Sequence, residues 1–330
     1  MPDHDDLATR LARTLGDVYG EDGVTVRDLH RLSGGASRET WSFEAVRAAG
    51  AEPLILRRDP PEAPRPQLML LEAAALREAA RVGVPEPDVL LASGDAAVLG
   101  APFILMRHVE GETIARRILR DDTFAAVRPH LAAQCGEILA RVHTMDPAAL
   151  PEPSDEDVLG MLTARLDEMG WPSPTLELAL RWLGANRPPP TGDVVVHGDF
   201  RHGNLIIGPD GVRAVLDWEV VHRGDPMEDL GWLCVRAWRF GASPPVGGFG
   251  AYRDLFTAYE RVSGRAVDPD VVRWWELLGT VRWGVGCMGQ SMRHLSGTTR
   301  SVELAAIGRR VCEQEYDALL LLRDLLGVSA

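Results

Sequence analysis

The segment His197-Gly198-Asp199-Phe200-Arg201-His202-Gly203-Asn204, followed by Leu216-Asp217-Trp218-Glu219, gathers residue types that suit phosphate and metal chemistry. Asp199 and Asn204 lie five residues apart around one loop, and Asp217 follows Asp199 by eighteen at the end of a strand-like run. Two carboxylates and a carboxamide so spaced can converge at one end of a hairpin. Hard oxygen donors of this kind suit magnesium, which is usually held by one or two carboxylates together with substrate phosphates. Asparagine occurs only twice, at Asn186 and Asn204, so its place in this loop is informative. His197 carries a titratable ring but reads as a packed, hydrogen-bonded loop anchor rather than a base.

These residues need elements to hold them. Val194–Val196 and Leu205–Ile207 read as strands, and Gly208–Gly211 as a turn into a strand over Val212–Leu216. Upstream, an apolar helical pattern over residues 5–19 precedes two strands, Val24–Leu32 and Thr40–Val46, joined by Ser33-Gly34-Gly35-Ala36-Ser37. A third strand, Pro53–Arg57, is followed by a proline-rich loop, a helix over Leu68–Val82 containing Glu72, and short strands near Val89–Ala92 and Phe103–Arg107. Helical patterns then dominate: Phe124–His143, Glu156–Met169 with a capping box from Ser154 and Asp157, Leu176–Leu183, and most of the chain beyond Pro226, ending in a helix over Val302–Leu326.

Composition narrows the chemistry. The chain has 330 residues, 45% hydrophobic and 25% charged, as expected of a globular protein of one or two packed units. Its net charge of −13 repels nucleic acid and anionic membrane surfaces. All 35 basic residues are arginine, which excludes lysine Schiff-base chemistry, pyridoxal-phosphate attachment and a Walker A loop of the usual form. The four cysteines form no CxxC pair, and no apolar run is long enough to span a bilayer, so a reducing cytoplasmic setting is expected.

In this order the motifs make the chain resemble the aminoglycoside phosphotransferase family, a small-molecule branch of the protein-kinase-like fold. The family's HGDxxxxN pattern stands at 197–204, Asp217 fills the position of the kinase DFG aspartate, and the spacings match the kinase arrangement. The resemblance covers nearly the whole chain. It implies an α+β, two-lobed protein-kinase-like fold, with a small mixed β-sheet N-lobe over residues 1–108 and a larger, mostly helical C-lobe over 109–330.

The resemblance also implies roles. Asp199 is the catalytic residue that orients the acceptor hydroxyl and takes its proton, with Asn204 and Asp217 on Mg2+. Ser33, Gly34, Gly35 and Ser37 belong to the loop that covers the phosphates of ATP or GTP. Arg57 replaces the phosphate-binding lysine of the third strand, and Glu72 is its helix partner. The C=O of Arg107 and the N–H of Val109 bond adenine, and Asp229 braces the catalytic loop through backbone N–H groups. The family takes its acceptor between the catalytic loop and the late helices, so Arg273–His294 is the expected substrate wall.

Three functions fit: an ATP-dependent kinase acting on a small-molecule hydroxyl; a kinase of hydroxy acids or hydroxyacyl thioesters; and an inactive nucleotide-binding protein. The second is suggested by the Leu56-Arg57-Arg58-Asp59-Pro60-Pro61 string, which is similar to one in kinase-like domains associated with acyl-CoA dehydrogenases, and little else in the sequence separates the first two. The presence of Asp199, Asn204 and Asp217 argues against the third. No nucleic-acid or membrane partner is expected, and oligomeric state is not legible.

Overall fold

The computed structural model describes residues 2–32, 38–150 and 157–328. The expected phosphate-covering residues Ser33, Gly34, Gly35 and Ser37 lie outside them, as does Ser154.

The N-terminal half is built on five strands: β1 (Thr25–Arg31), β2 (Glu39–Arg47), β3 (Gly50–Arg58), β4 (Val89–Ser93) and β5 (Phe103–Arg107), ordered β1-β2-β3-β5-β4. Every pairing is antiparallel, so the sheet is not of mixed sense. The chain runs through a meander and then crosses over α2 (Pro66–Arg81), which lets β5 insert between β3 and the edge strand β4. Helix α1 (Pro2–Tyr19) covers one face of the sheet with Leu7, Leu11 and Leu15, a four-residue repeat that lies on one side of a helix. Against them pack Phe43, Leu54, Leu56, Phe103 and Leu105. Truncating Leu11 to alanine in such a core costs about 2–5 kcal/mol.

Strand alternation decides where the cations of β3 go. Leu54, Leu56 and Arg58 share the α1 face, whereas Ile55 and Arg57 face the other way. The short helix α3 (Ala96–Leu99) lies on the α1 side and supplies the Leu99 C=O that accepts from Arg58 at 3.1 Å.

The helical half comprises α4 (Ala115–Arg120), α5 (Leu131–Val142), α6 (Val158–Met169), α7 (Pro174–Ala185), α8 (Met227–Cys234), α9 (Tyr252–Ser263), α10 (Pro269–Leu295), α11 (Val302–Gly308) and α12 (Val311–Leu325). Three helical expectations need correction. The pattern over 124–143 becomes a helix only from Leu131, because Pro129 sits in a separate 3-10 turn at Arg128–His130. The last helix is two, split at Gly308-Arg309-Arg310. Asp157 is itself the N-cap of α6, accepting the Gly160 N–H at 3.1 Å, so it is not the third residue of a box opened by Ser154.

Between α7 and α8 lie β6 (Val194–Val196), the hairpin of β7 (Leu205–Gly208) and β8 (Gly211–Val215), and β9 (His222–Gly224), which pairs with β6 and was not legible in the sequence. Helix α10 is buried on nearly every side, packing against α6, α7, α8, α11 and α12. That explains why its apolar residues show no single stripe. Among the described residues no helix is long and apolar enough to cross a membrane, and none of the four cysteines is paired.

Candidate active site

The loop 197–204 bridges β6 and β7, and its conformation is fixed from beneath. The Asp229 carboxylate, at the start of α8 and fully buried, accepts the N–H groups of His197 at 2.8 Å and Gly198 at 2.9 Å. The His143 ring closes the set, 3.3 Å from the same carboxylate. Burial pushes the Asp229 carboxyl up, but the bond and charge of His143 and its other partners outweigh this, and it is held below the usual range. Gly198 has φ +80°, and a Cβ there would stand 2.8 Å from the Val220 carbonyl oxygen, so both dihedral and space require glycine.

His197 is the anchor expected of it. Its Nδ1 accepts the Asp199 N–H at 3.1 Å, which leaves Nε2–H to donate to the Leu216 C=O at 3.2 Å. Burial lowers its pKa against three nearby aspartates, so the ring is neutral and in one tautomer. One imidazole thereby ties the loop bearing Asp199 to the residue before Asp217.

Asn204 makes the second tie. Its Nδ2 donates to the Asp199 carboxylate at 2.6 Å and to the Asp199 C=O at 3.0 Å, while its own C=O accepts the Leu216 N–H at 2.8 Å. Its amide oxygen is left for a cation. Asp217 follows with φ +70°, a left-handed conformation that an L-residue holds only when its surroundings over-determine it.

Across the cleft, Arg57 reaches from β3 to Asp217 at 2.7 Å, to Glu72 at 3.3 Å and to Glu219 at 3.6 Å. Glu72 interrupts the apolar stripe Met69, Ala73, Leu76 and Ala79 of α2 and is 2% exposed. A carboxylate buried this deeply needs partners. Besides Arg57 it has Arg38, itself buried, whose guanidinium also faces Asp59 at 3.3 Å and Glu219 at 3.9 Å. Burial pulls the Arg38 pKa down.

This cluster tests whether the expected metal fits. Four carboxylates, Asp59, Glu72, Asp217 and Glu219, face the three guanidinium groups of Arg38, Arg57 and Arg65, leaving room for added positive charge. No group of three or more His, Cys, Asp or Glu among the described residues is arranged to hold a metal alone. A cation held by Asp217 and the Asn204 amide oxygen would need further ligands, which the phosphates of a nucleotide supply; Mg2+ fits that arrangement.

A cavity of about 330 Å3 runs from this cluster along the sheet. Ile55, Leu76, Met106, Ile206 and Leu216 give it apolar walls, while Arg57, Glu72 and Asp217 close one end. Arg107 and Val109 line it too. The Arg107 side chain leaves the cavity for Glu52 and Asp88, and the Val109 N–H makes no hydrogen bond among the described residues.

On the far side of Asp199 lies a second cavity, of about 390 Å3, with Trp232, Trp275, Leu278, Gly279 and Arg282 on its walls and His222 and Glu228 at its rim. Of the expected wall Arg273–His294, only part lines it: Trp274 is buried in the helical core on the Leu183 C=O, Arg273 pairs with Asp324, and Arg293 bonds Gln290 and Thr299.

Three contacts to the loop 197–204 were not legible in the sequence. Arg201 donates to both Asp199 carboxylate oxygens, at 3.0 and 3.2 Å, and the Trp232 indole N–H donates to one of them at 2.9 Å. Arg282 reaches the Gly198 C=O at 2.5 Å and Glu228 at 2.7 Å, and its guanidinium lies 4.4 Å from the Trp232 ring centre. Glu228 also holds His222 at 3.2 Å. Burial lowers the His222 pKa, but the Glu228 bond and charge prevail and raise it to about 9. The only signal in the sequence was the position of Arg201, two residues after Asp199.

Comparison with known proteins follows the same lines. A profile of the phosphotransferase enzyme family, designated APH, matches residues 28–269. A solved structure from Ralstonia eutropha JMP134, classed with the aminoglycoside phosphotransferases, superposes with a TM-score of 0.73 at 20% identity, covering 96% of this chain and 98% of that one. A variant of aminoglycoside phosphotransferase APH(4)-Ia in complex with AMP-PNP and hygromycin B gives 0.63 at 16% identity, over 96% and 98% of the two chains. Acyl-CoA dehydrogenase family member 10 of Mus musculus is 27% identical over 259 residues, 72% of this chain and 23% of that protein. Family member 11 of Rattus norvegicus is 26% identical over 284 residues, 78% and 35% respectively. The chain thus spans about a third or less of the length of these curated relatives.

Proposed function

The chain belongs to the phosphotransferase enzyme family, and from that premise we propose that it transfers the γ-phosphoryl group of ATP or GTP to a hydroxyl of a small molecule. The observation that carries this reading is the meeting of Asp199, Asn204 and Asp217 at the end of one hairpin, with Arg57 and Glu72 facing Asp217 across an apolar cleft.

In this reading residues 1–108 form the nucleotide-binding lobe and 109–330 the catalytic and substrate-binding lobe. The base lies against Ile55, Met106 and Ile206, with the Arg107 C=O and Val109 N–H at its edge. Asp217 and the Asn204 amide oxygen would hold Mg2+, which would supply charge neutralisation at the phosphates. Arg57 meets phosphate with a planar fork that also pairs with Glu72. Asp199 accepts the acceptor's hydroxyl proton as that oxygen bonds to phosphorus and the diphosphate leaves. Arg201 and Trp232 hold its carboxylate in place.

A second reading, that the acceptor is a hydroxy acid or hydroxyacyl thioester, is favoured by the acyl-CoA dehydrogenase relatives and by the His222 and Arg282 cations beside the apolar wall of the second cavity. The four unpaired cysteines fit a cytoplasmic location. A transfer screen with labelled ATP across aminoglycosides, other natural-product alcohols and hydroxyacyl compounds tests both readings. Label incorporated into none of them, with nucleotide still bound, would leave only the non-catalytic alternative.

A further inference from the structure

A cavity of about 700 Å3 lies outside both clefts, between the start of α4, the 3-10 turn Arg236–Arg239 with the residues after it, and the first turns of α12. Four guanidinium groups line it, from Arg116, Arg236, Arg239 and Arg310, against two carboxylates, Glu313 and Asp317. In a chain of net charge −13 this is a local reversal of sign, and a concave reversal draws anions.

Three of these arginines are available to a ligand. Arg116 is exposed and makes no ion pair among the described residues. Arg236, itself half exposed, rests at 3.3 Å on buried Asp317, and Arg310 pairs at 3.2 Å with exposed Glu313, a solvent-open pair that holds it weakly. Burial raises the Asp317 pKa, and the charges of Arg236, Arg239 and Arg310 work against that rise. Arg239 is committed to buried Glu276 at 2.8 Å and to the Cys234 C=O, and serves as a fixed wall.

The remaining surface is apolar and half-open. Tyr316 and Ile114 are 59% and 50% exposed at the cavity, and Phe240 holds φ +48°, an uncommon conformation for a bulky residue. The Phe240 ring packs edge-on against His202, 5.6 Å away, and the nearby Trp238 ring carries Arg201, the partner of Asp199. The cavity therefore backs onto the catalytic loop.

We propose that this cavity binds an organic phosphate, its phosphate group on Arg116, Arg236 and Arg310 and its carbon body against Tyr316, Phe240 and Ile114. Guanidinium forks match phosphate oxygens bidentately, and the volume exceeds what an inorganic ion fills. The site is separate from the nucleotide cleft and does not depend on the identity of the acceptor.

The test is calorimetric titration of 1-naphthyl phosphate into the full chain, free and saturated with Mg2+ and ADP, with 1-naphthol as the uncharged control. The expected result is one site that persists with ADP bound, is at least tenfold weaker in both Arg116→Gln and Arg236→Gln, and does not take naphthol. Both substitutions lie on the surface, and thermal melts check that the variants fold. Competition with ADP, equal binding by the variants, or no binding at millimolar concentration would overturn the proposal. The ADP titration run alongside reports the nucleotide cleft separately, so failure of one site is not mistaken for failure of the other.

Discussion

The Arg57 guanidinium and the Asp217 carboxylate meet at 2.7 Å, joining a strand of the sheet to the turn that follows β8. Their neighbours in sequence show how specific this is. Arg58, on the opposite face, bonds Glu39 at 2.6 Å and the Leu99 C=O at 3.1 Å, beneath α1.

The two arginines should therefore separate binding from stability. Arg57→Ala is expected to weaken ATP binding about tenfold or more, since charge-assisted hydrogen bonds contribute about 1.5–3 kcal/mol. Arg57→Lys should recover part of this. Arg58→Ala should leave ATP titrations unchanged and lower the melting temperature instead. Equal effects at both positions would show that the β3 cation does not meet the nucleotide.

Asp199→Asn should retain nucleotide affinity while transfer falls by about 10²–10⁴-fold, the usual contribution of a positioned base. Single-turnover rates on an identified acceptor, beside ADP titrations, distinguish loss of chemistry from loss of binding. Near-wild-type turnover would remove Asp199 from that role.

Asp217→Ala should abolish turnover and weaken the magnesium dependence of nucleotide binding. Because this substitution also frees Arg57, the charge-preserving Asp217→Glu belongs beside it, and should bind nucleotide with altered metal dependence. Wild-type metal dependence in both variants would place the metal elsewhere.

Asp229→Ala would strip two backbone N–H groups and His143 of their acceptor in a fully buried site. A loss of about 3–5 kcal/mol is expected, as for a broken buried charged network. Denaturant unfolding measures it, and a change below about 1 kcal/mol would mean that the loop is held by other contacts.

His222 predicts how stability varies with pH. Its folded pKa of about 9 lies above the ordinary 6.5, so its contribution is whole below pH 6.5 and is lost as pH rises toward 9. Melting temperature should fall over that window in the wild type and less steeply in His222→Gln. Parallel curves would refute the His222–Glu228 linkage.

Much of this was legible because it is local. Alternation along β3 separated Arg57 from Arg58, and the spacing of Asp199, Asn204 and Asp217 located the hairpin that gathers them. The N–H groups that Asp229 accepts were expected from the resemblance alone. What the sequence hid is long-range. Arg282 meets Gly198 from 84 positions away, and Trp232 meets Asp199 from 33. Neither distance has a period to read. β9 was too short to show alternation, and Pro129 cut back a helix whose apolar pattern ran on through it.

The ties of His197 to Leu216, and of Asn204 to both Asp199 and Leu216, all close within residues 197–217. That stretch behaves as a cassette: its loop and the backbone leading to Asp217 are tied internally, and the rest of the protein supplies a socket through Asp229, Trp232 and Arg282 and a partner for the Asp217 carboxylate in Arg57. A scaffold offering one buried carboxylate beneath the loop and donors for Asp199, Gly198 and Asp217 could receive the cassette whole. The surrounding helices would then be free to diverge toward new acceptors without disturbing the chemical end of the site.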